Sequence, residues 1–159
     1  MKKTKIFVFI FLVAIIACSL LGCVDVNKNG GIESTDLLGR KVVVPEKVER
    51  VVCIGAGALR LYSYVGDLSK LCGVEDVDKD GTGVGKTLSI RPYKMVNGDI
   101  FNSLPSCGTG GPTGSADAEK ILSCRPDVVF SLYTSDVSAM DELQNRTGIP
   151  VVVLSYGTV

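Results

Sequence analysis

The chain has 159 residues, with 17 basic groups against 17 acidic ones, six cysteines and five tyrosines. It contains no histidine, which removes the usual proton shuttle and the commonest metal ligand and excludes a His-dependent hydrolase. A balanced charge gives no sign of a nucleic-acid partner, and the length suits one domain able to bury a real core.

The amino terminus carries Lys2, Lys3 and Lys5, then an apolar run from Ile6 to Ala17, then Leu20-Leu21-Gly22-Cys23. A charged start, a short apolar core and small residues at the cut make a secretory signal. The Cys directly after Leu-x-Gly resembles a bacterial or archaeal lipobox. The run falls short of the ~20 apolar residues of a spanning helix, so the sequence predicts cleavage after residue 22 and lipidation of Cys23. The alternative is an uncleaved anchor, and both place the remainder outside the cytoplasm, on the cell membrane. Loss of residues 1 to 22 takes three lysines and no carboxylate, leaving 14 basic groups against 17 acidic, formally −3. Cys53, Cys72, Cys107 and Cys124 then lie in a compartment that permits disulfides, with three pairings open.

Residues 23 to 34 are polar and glycine-bearing and read as a flexible tether. Residues 42 to 45 read as an extended edge segment ended by proline, and 48 to 54 as a buried strand of a parallel sheet. Gly55-Ala56-Gly57 turns the chain into a helix over 58 to 65, with Leu59, Tyr62 and Val65 on one face. Residues 71 to 74 read as a second strand, and 76 to 94 as a long loop rich in Asp and Gly. A weak helical turn follows at 99 to 103, then a glycine cluster from Gly108 to Gly114. Asp117 and Glu119 mark the first turn of a helix over 116 to 123, where negative charge suits the helix dipole. A third strand is expected at 127 to 132, a helix at 138 to 146 and a fourth strand at 151 to 154. Strands alternating with helices imply an open parallel α/β sheet with right-handed crossovers, whose ligands sit at the carboxyl ends of the strands.

Three motifs invite a sharper reading. Gly83-Val84-Gly85-Lys86-Thr87 ends like a phosphate-binding loop, but the glycine required at position 80 is Asp80, and Pro92 cuts short the helix that should follow. Asp25-x-Asn27-x-Asn29-Gly30, with Glu33 and with Asp36 at the twelfth position, resembles a dockerin calcium loop, and its plain reading is a solvated linker. Asp76-x-Asp78-x-Asp80-Gly81 has Thr87 at the twelfth position and reads as an exposed acidic loop. No metal site is assigned.

Taken in order, the segments resemble the amino-terminal lobe of the substrate-binding proteins of ABC importers for iron chelates and cobalamin, the periplasmic-binding family with a rigid interlobe helix. Thr35-Asp36-Leu37-Leu38-Gly39-Arg40-Lys41-Val42 with Val44-Pro45 is similar to the family's opening, and Glu49-Arg50-Val51-Val52 to its first buried strand. Leu104-Pro105 with Gly108, then Ala118-Glu119-Lys120-Ile121-Leu122-Ser123 and Arg125-Pro126-Asp127-Val128-Val129-Phe130, resembles its most recognisable block. Gly148-Ile149-Pro150-Val151-Val152 is similar to its last strand of this lobe. The resemblance covers residues 35 to 159. Because such proteins carry a second lobe, it also implies that the chain is truncated, a fragment, or a single-lobe form.

The resemblance implies a lipid-anchored, non-enzymatic receptor that hands a metal chelate to an ABC permease. An iron-siderophore is the leading ligand, with cobalamin or haem as alternatives, and no cofactor is expected. The implied cleft floor includes Gly57, Ala58, Arg91, Tyr93, Gly111, Tyr133, Thr134 and Tyr156. A guanidinium such as Arg91 can pair with carboxylates or phenolates, and the tyrosines offer rings and hydroxyls. Glu119 aligns with the glutamate that docks the lobe on permease arginines. The rival readings are a ligandless remnant of such a receptor and a cell-surface module using the calcium-like loop from Asp25 to Asp36. No nucleophile stands beside a base to suggest an enzyme.

Overall fold

The computed structural model describes residues 31–80, 91–111, 114–133 and 136–156. Five strands form one parallel sheet in the order β5-β4-β3-β6-β7. They are β3 (Val51–Ile54), β4 (Leu71–Glu75), β5 (Ser106–Gly108), β6 (Val128–Ser131) and β7 (Val151–Val153). Each pairs in parallel with its neighbour, as the continuous apolar runs in β3, β6 and β7 require of strands buried on both faces. The five-strand parallel sheet flanked by helices is the expected α/β architecture.

Side-chain alternation divides the core between the two faces of the sheet. Val51 and Cys53 point to one face, where α1 (Ala58–Val65) and α2 (Pro92–Ser103) bury Ala58, Leu59, Tyr93 and Phe101. Val52 and Ile54 point to the other, where α3 (Ala118–Cys124) and α4 (Val137–Thr147) bury Ala118, Ile121, Met140 and Leu143. Asp117 and Asp136 cap α3 and α4, accepting from the amides of Lys120 at 3.0 Å and Ser138 at 2.9 Å.

Several expectations change. The tether expected over 23–34 gives way at Gly31, because β1 (Gly31–Thr35) pairs antiparallel with β2 (Lys41–Pro45). Asp36 closes this hairpin. Its carboxylate accepts from the amides of Leu38 and Arg40, from the Arg40 guanidinium at 2.7 Å and from the amide of Val153, which ties the hairpin to β7. With its oxygens so engaged, and Glu33 paired to Lys41 at 2.9 Å, Asp36 is not free to serve as the twelfth ligand of a calcium loop; residues 25–30 lie outside the described residues. Val65, expected on the buried face of α1, is 90% exposed.

The largest difference is α2. Pro92 starts this helix rather than stopping one: proline suits the first helical position, and the residue before it, Arg91, is extended as that junction requires. The acidic stretch before it is not simply exposed, since residues 76–78 form a 3₁₀ turn and Asp78 is buried. β5 was not foreseen. The phosphate-loop-like residues 83–87 lie outside the described residues. Cys53, Cys72, Cys107 and Cys124 are all buried free thiols, so none of the three pairings forms.

Candidate functional site

The chain runs from β3 outward to β4 and β5, then returns to the other side of β3 to form β6 and β7. Loops after β3 and β6 therefore leave in opposite directions, and a crevice opens between them at the carboxyl edge. The two loops touch: a Cβ added at Gly55 would lie 3.1 Å from the Tyr133 nitrogen.

On the α1 side of this edge, Ala56, Gly57, Arg60, Arg91, Tyr93 and Tyr156 line a recess of about 190 Å³. Gly57 has φ +97°, and a Cβ there would collide with the Tyr156 hydroxyl, so glycine is needed both for the turn and for the tyrosine. The Tyr156 hydroxyl donates to the Gly57 carbonyl at 2.8 Å. Over its ring, at 4.8 Å from the centroid, sits the Arg60 guanidinium, a cation–π contact. Arg91 donates to the Tyr93 hydroxyl, which in turn donates to Asp78. The Arg91 head is thus steered by a buried relay. Burial pushes the Asp78 carboxyl above its usual range, against the Tyr93 hydrogen bond and the positive fields of Lys94 and Arg91.

The middle of the edge is acidic and closed. Glu75, the last residue of β4, is 1% exposed. Its Oε2 accepts from the Gly55 amide at 3.0 Å, and its Oε1 from the Tyr133 hydroxyl at 3.4 Å. On the far side, Tyr133 joins Gly114, Ala116, Asp136, Met140 and Arg146 around a second recess of about 280 Å³.

The structure thus gathers Gly57, Arg91, Tyr93 and Tyr156 around one recess and sets Tyr133 beside the other. Gly111, at φ +93°, lies in the loop after β5 and does not line the first recess. Ala58 belongs by its side chain to the core, and Tyr93 is only 3% exposed, so Tyr93 presents little of its ring to the recess. Glu119 is exposed in the first turn of α3, which begins at the same edge. Thr134 and Cys23 lie outside the described residues. Among the described residues, no three His, Cys, Asp or Glu side chains are grouped to hold a metal, and no helix is long and apolar enough to cross a membrane.

Two residues of this edge escaped the sequence reading. Arg60 reads as one more solvated helix charge until Tyr156 arrives from 96 positions away in sequence. Glu75 reads as the polar end of a strand. Its only signal is a carboxylate directly after an apolar run that sits between glycine-rich turns.

No family profile matches the chain, and no curated protein matches it closely enough to count as a relative. Solved structures do match. The molybdate periplasmic binding protein MolA of a Haemophilus influenzae ABC transporter aligns at 26% identity and a TM-score of 0.60, over 80% of this chain and 35% of that one. The periplasmic catecholate-siderophore binding protein VctP from Vibrio cholerae aligns at 25% identity and 0.51, over 77% and 37%. The heme binding protein HmuT aligns at 20% identity and 0.52, over 79% and 34%, which is a likeness of fold. The chain spans about a third of the length of each structure it matches, and the described residues have the fold of one lobe of a periplasmic solute-binding protein.

Proposed function

We propose that this chain is the binding lobe of an extracytoplasmic receptor for an ABC importer, anchored by a lipid on Cys23, and that its cargo is an anionic metal chelate of the iron-siderophore class. The observation that carries the reading is the pair of guanidinium groups, Arg60 and Arg91, set beside Tyr156 on the carboxyl edge of a lobe of this fold. Heme, catecholate-siderophore and molybdate, the ligands named for the matched structures, all carry negative charge. Two arginines and an aromatic ring lining one recess suit a flat or lobed anion, because a guanidinium offers a planar fork of donors and stacks on aromatic faces. Glu119, exposed where α3 begins, supplies the charge through which the lobe meets a basic permease surface.

A receptor of this kind performs no bond chemistry. Its task is to replace the chelate's water shell with fixed donors, and the relay from Asp78 through Tyr93 prepares one of them. Arg91 is held before the ligand arrives, so less side-chain entropy is lost on binding.

The test is a titration of the mature full chain, lacking tryptophan, by calorimetry with three probes: a ferric catecholate, hemin, and cobalamin as the ligand without a comparable anionic face. The ferric catecholate should bind best, and Arg91→Ala should weaken it by about 1 to 3 kcal/mol as a charged hydrogen bond is lost. Equal affinity for cobalamin, or unchanged catecholate affinity in Arg91→Ala, refutes the assignment.

A further inference from the structure

Besides Glu75, two carboxylates are buried among the described residues: Asp36 has Arg40 as its partner, and Asp78 accepts from Tyr93 in the positive fields of Lys94 and Arg91. Glu75 has no cation within ion-pair distance among the described residues; what faces it is different. The Gly55 amide and the Tyr133 hydroxyl donate to it, Asp78 and Asp76 add negative field from the 3₁₀ turn, and the thiols of Cys53 and Cys107 lie within its electrostatic reach. Burying a carboxylate without a cation is costly, so a fold that only needed an acceptor for the Gly55 amide would be better served by a neutral side chain.

The position of Glu75 is what distinguishes it. Gly55 opens the loop after β3, and Tyr133 belongs to the loop after β6. Gly110, in the loop after β5, has φ +72° and comes so close that a Cβ there would lie 2.5 Å from Oε2. Three loops of the carboxyl edge, from strands on both sides of the crevice, bear on one carboxylate.

We propose that Glu75 is a positioning residue of the cleft floor, whose charge state sets how firmly the loops after β3, β5 and β6 are held, so that ligand capture responds to pH. This rests on the reading of the edge as a ligand cleft. In the ionised state both oxygens accept, and both bonds are charge-assisted, the stronger class. Those bonds do not offset the cost of holding the charge out of water. A proton on Oε1 can instead be donated to the Tyr133 hydroxyl while Oε2 still accepts from Gly55, so the protonated state holds the loops more firmly and ionisation loosens them. Burial, reinforced by Asp78 and Asp76 and opposed by the Gly55 and Tyr133 hydrogen bonds, pushes the Glu75 carboxyl up to about 7, so the change falls within a range that an extracytoplasmic protein meets.

The experiment has two arms, both on the full mature chain and its Glu75→Gln variant, which mimics the protonated side chain without removing its bulk. Without ligand, the amide signal of Gly55 and the ring signals of Tyr133 are followed by NMR from about pH 5 to about pH 9. They should move together in the wild type with a midpoint near the Glu75 value and stay flat in Glu75→Gln. Signals that are flat in the wild type, or that titrate equally in the variant, overturn the proposal. With ferric catecholate as the probe, wild-type affinity should rise about tenfold on acidification, about 1.4 kcal/mol in favour of the held loops, while Glu75→Gln should show the tighter affinity throughout. Affinity that falls or stays level on acidification overturns the positioning role, and so does a rise that Glu75→Gln repeats in full. If no probe binds the wild type at any pH, the cleft reading and the capture clause fall together, and the first arm alone then decides whether Glu75 holds the loops.

Discussion

Replacing Asp36 by asparagine should cost the fold about 3 kcal/mol, a large part of the roughly 5 to 15 kcal/mol that a domain of this size commands. The Asp36 side chain is 0% exposed and that of Arg40 8%, so both charges have left water and depend on each other. Oδ1 serves the amides of Leu38 and Arg40, each at 3.0 Å. Oδ2 serves Arg40 Nε at 2.9 Å, Nη2 at 2.7 Å and the Val153 amide at 3.3 Å. Asparagine keeps an oxygen for one of these sets and turns an NH₂ group toward the other, and a flip of the amide only exchanges which set suffers. Removing one partner of a buried pair costs about 3 to 5 kcal/mol. The lower end applies because Arg40 retains Asp141 and the Val151 carbonyl. Asp141 is the internal control: it pairs with the same guanidinium at 2.9 Å but is 53% exposed, so Asp141→Asn should cost less than about 1 kcal/mol. Urea unfolding followed by far-ultraviolet circular dichroism measures both. Burial works to raise the Asp36 pKa, but the Arg40 side chain and the amides of Arg40, Leu38 and Val153 outweigh it and hold the group below 3.8. A depressed carboxyl stabilises the fold at all pH above its unfolded value and loses that contribution as pH falls through its folded one. The gap between wild type and Asp36→Asn should therefore be constant around neutrality and close below about pH 4. An Asp36→Asn cost under about 1 kcal/mol, or equal costs for the two variants, would refute the reasoning.

The Glu75 carboxyl works in the opposite sense. Raised to about 7 from 4.5, it makes wild-type stability fall as pH climbs between those values. Glu75→Gln should remove that slope and raise stability at pH 8 by up to about 3 kcal/mol, as read from the same unfolding curves. Glu119→Arg should lower transport in a reconstituted importer and alter its salt dependence while leaving chelate affinity unchanged; a loss of affinity would move Glu119 into the binding site. Cys23→Ser should abolish a diacyl or triacyl mass on the mature amino terminus and release the protein from membranes, whereas an intact Met1 on membrane-bound protein would rule out lipidation.

The sequence yielded its strands wherever β-branched residues run together. Residues 48–54, 127–132 and 151–154 contain the strands observed, because burial on both faces leaves no polar alternation to confuse the reading, and 71–74 falls one residue short of β4, which ends at Glu75. β5 has only Ser106, Cys107 and Gly108, and becomes a strand solely because β4 lies beside it, information that exists only in three dimensions. α2 was obscured by proline's two meanings: a stop inside a helix, a start at its first turn. At the candidate site, the family resemblance pointed to Gly57, Arg91 and Tyr156, and these line one recess. The roles of Tyr93 and Glu75 could not be read, since each depends on what a buried polar group meets across the sheet rather than on its neighbours in the chain.

The four buried cysteines give the domain a chemical clock. Burial raises every one of these thiols, first among the causes, and Cys72 reaches about 11. Few thiolates are present at neutral pH to react with an oxidant or a labelling reagent. The domain can therefore cross an oxidising compartment with reduced sulfur, without an isomerase to choose among partners. Each thiol becomes reactive only when its segment opens. Cys53 and Cys72 on adjacent strands, Cys107 on the edge strand and Cys124 at the end of α3 would then report separate openings, and their labelling rates would rank the parts of the sheet by the free energy that keeps each closed.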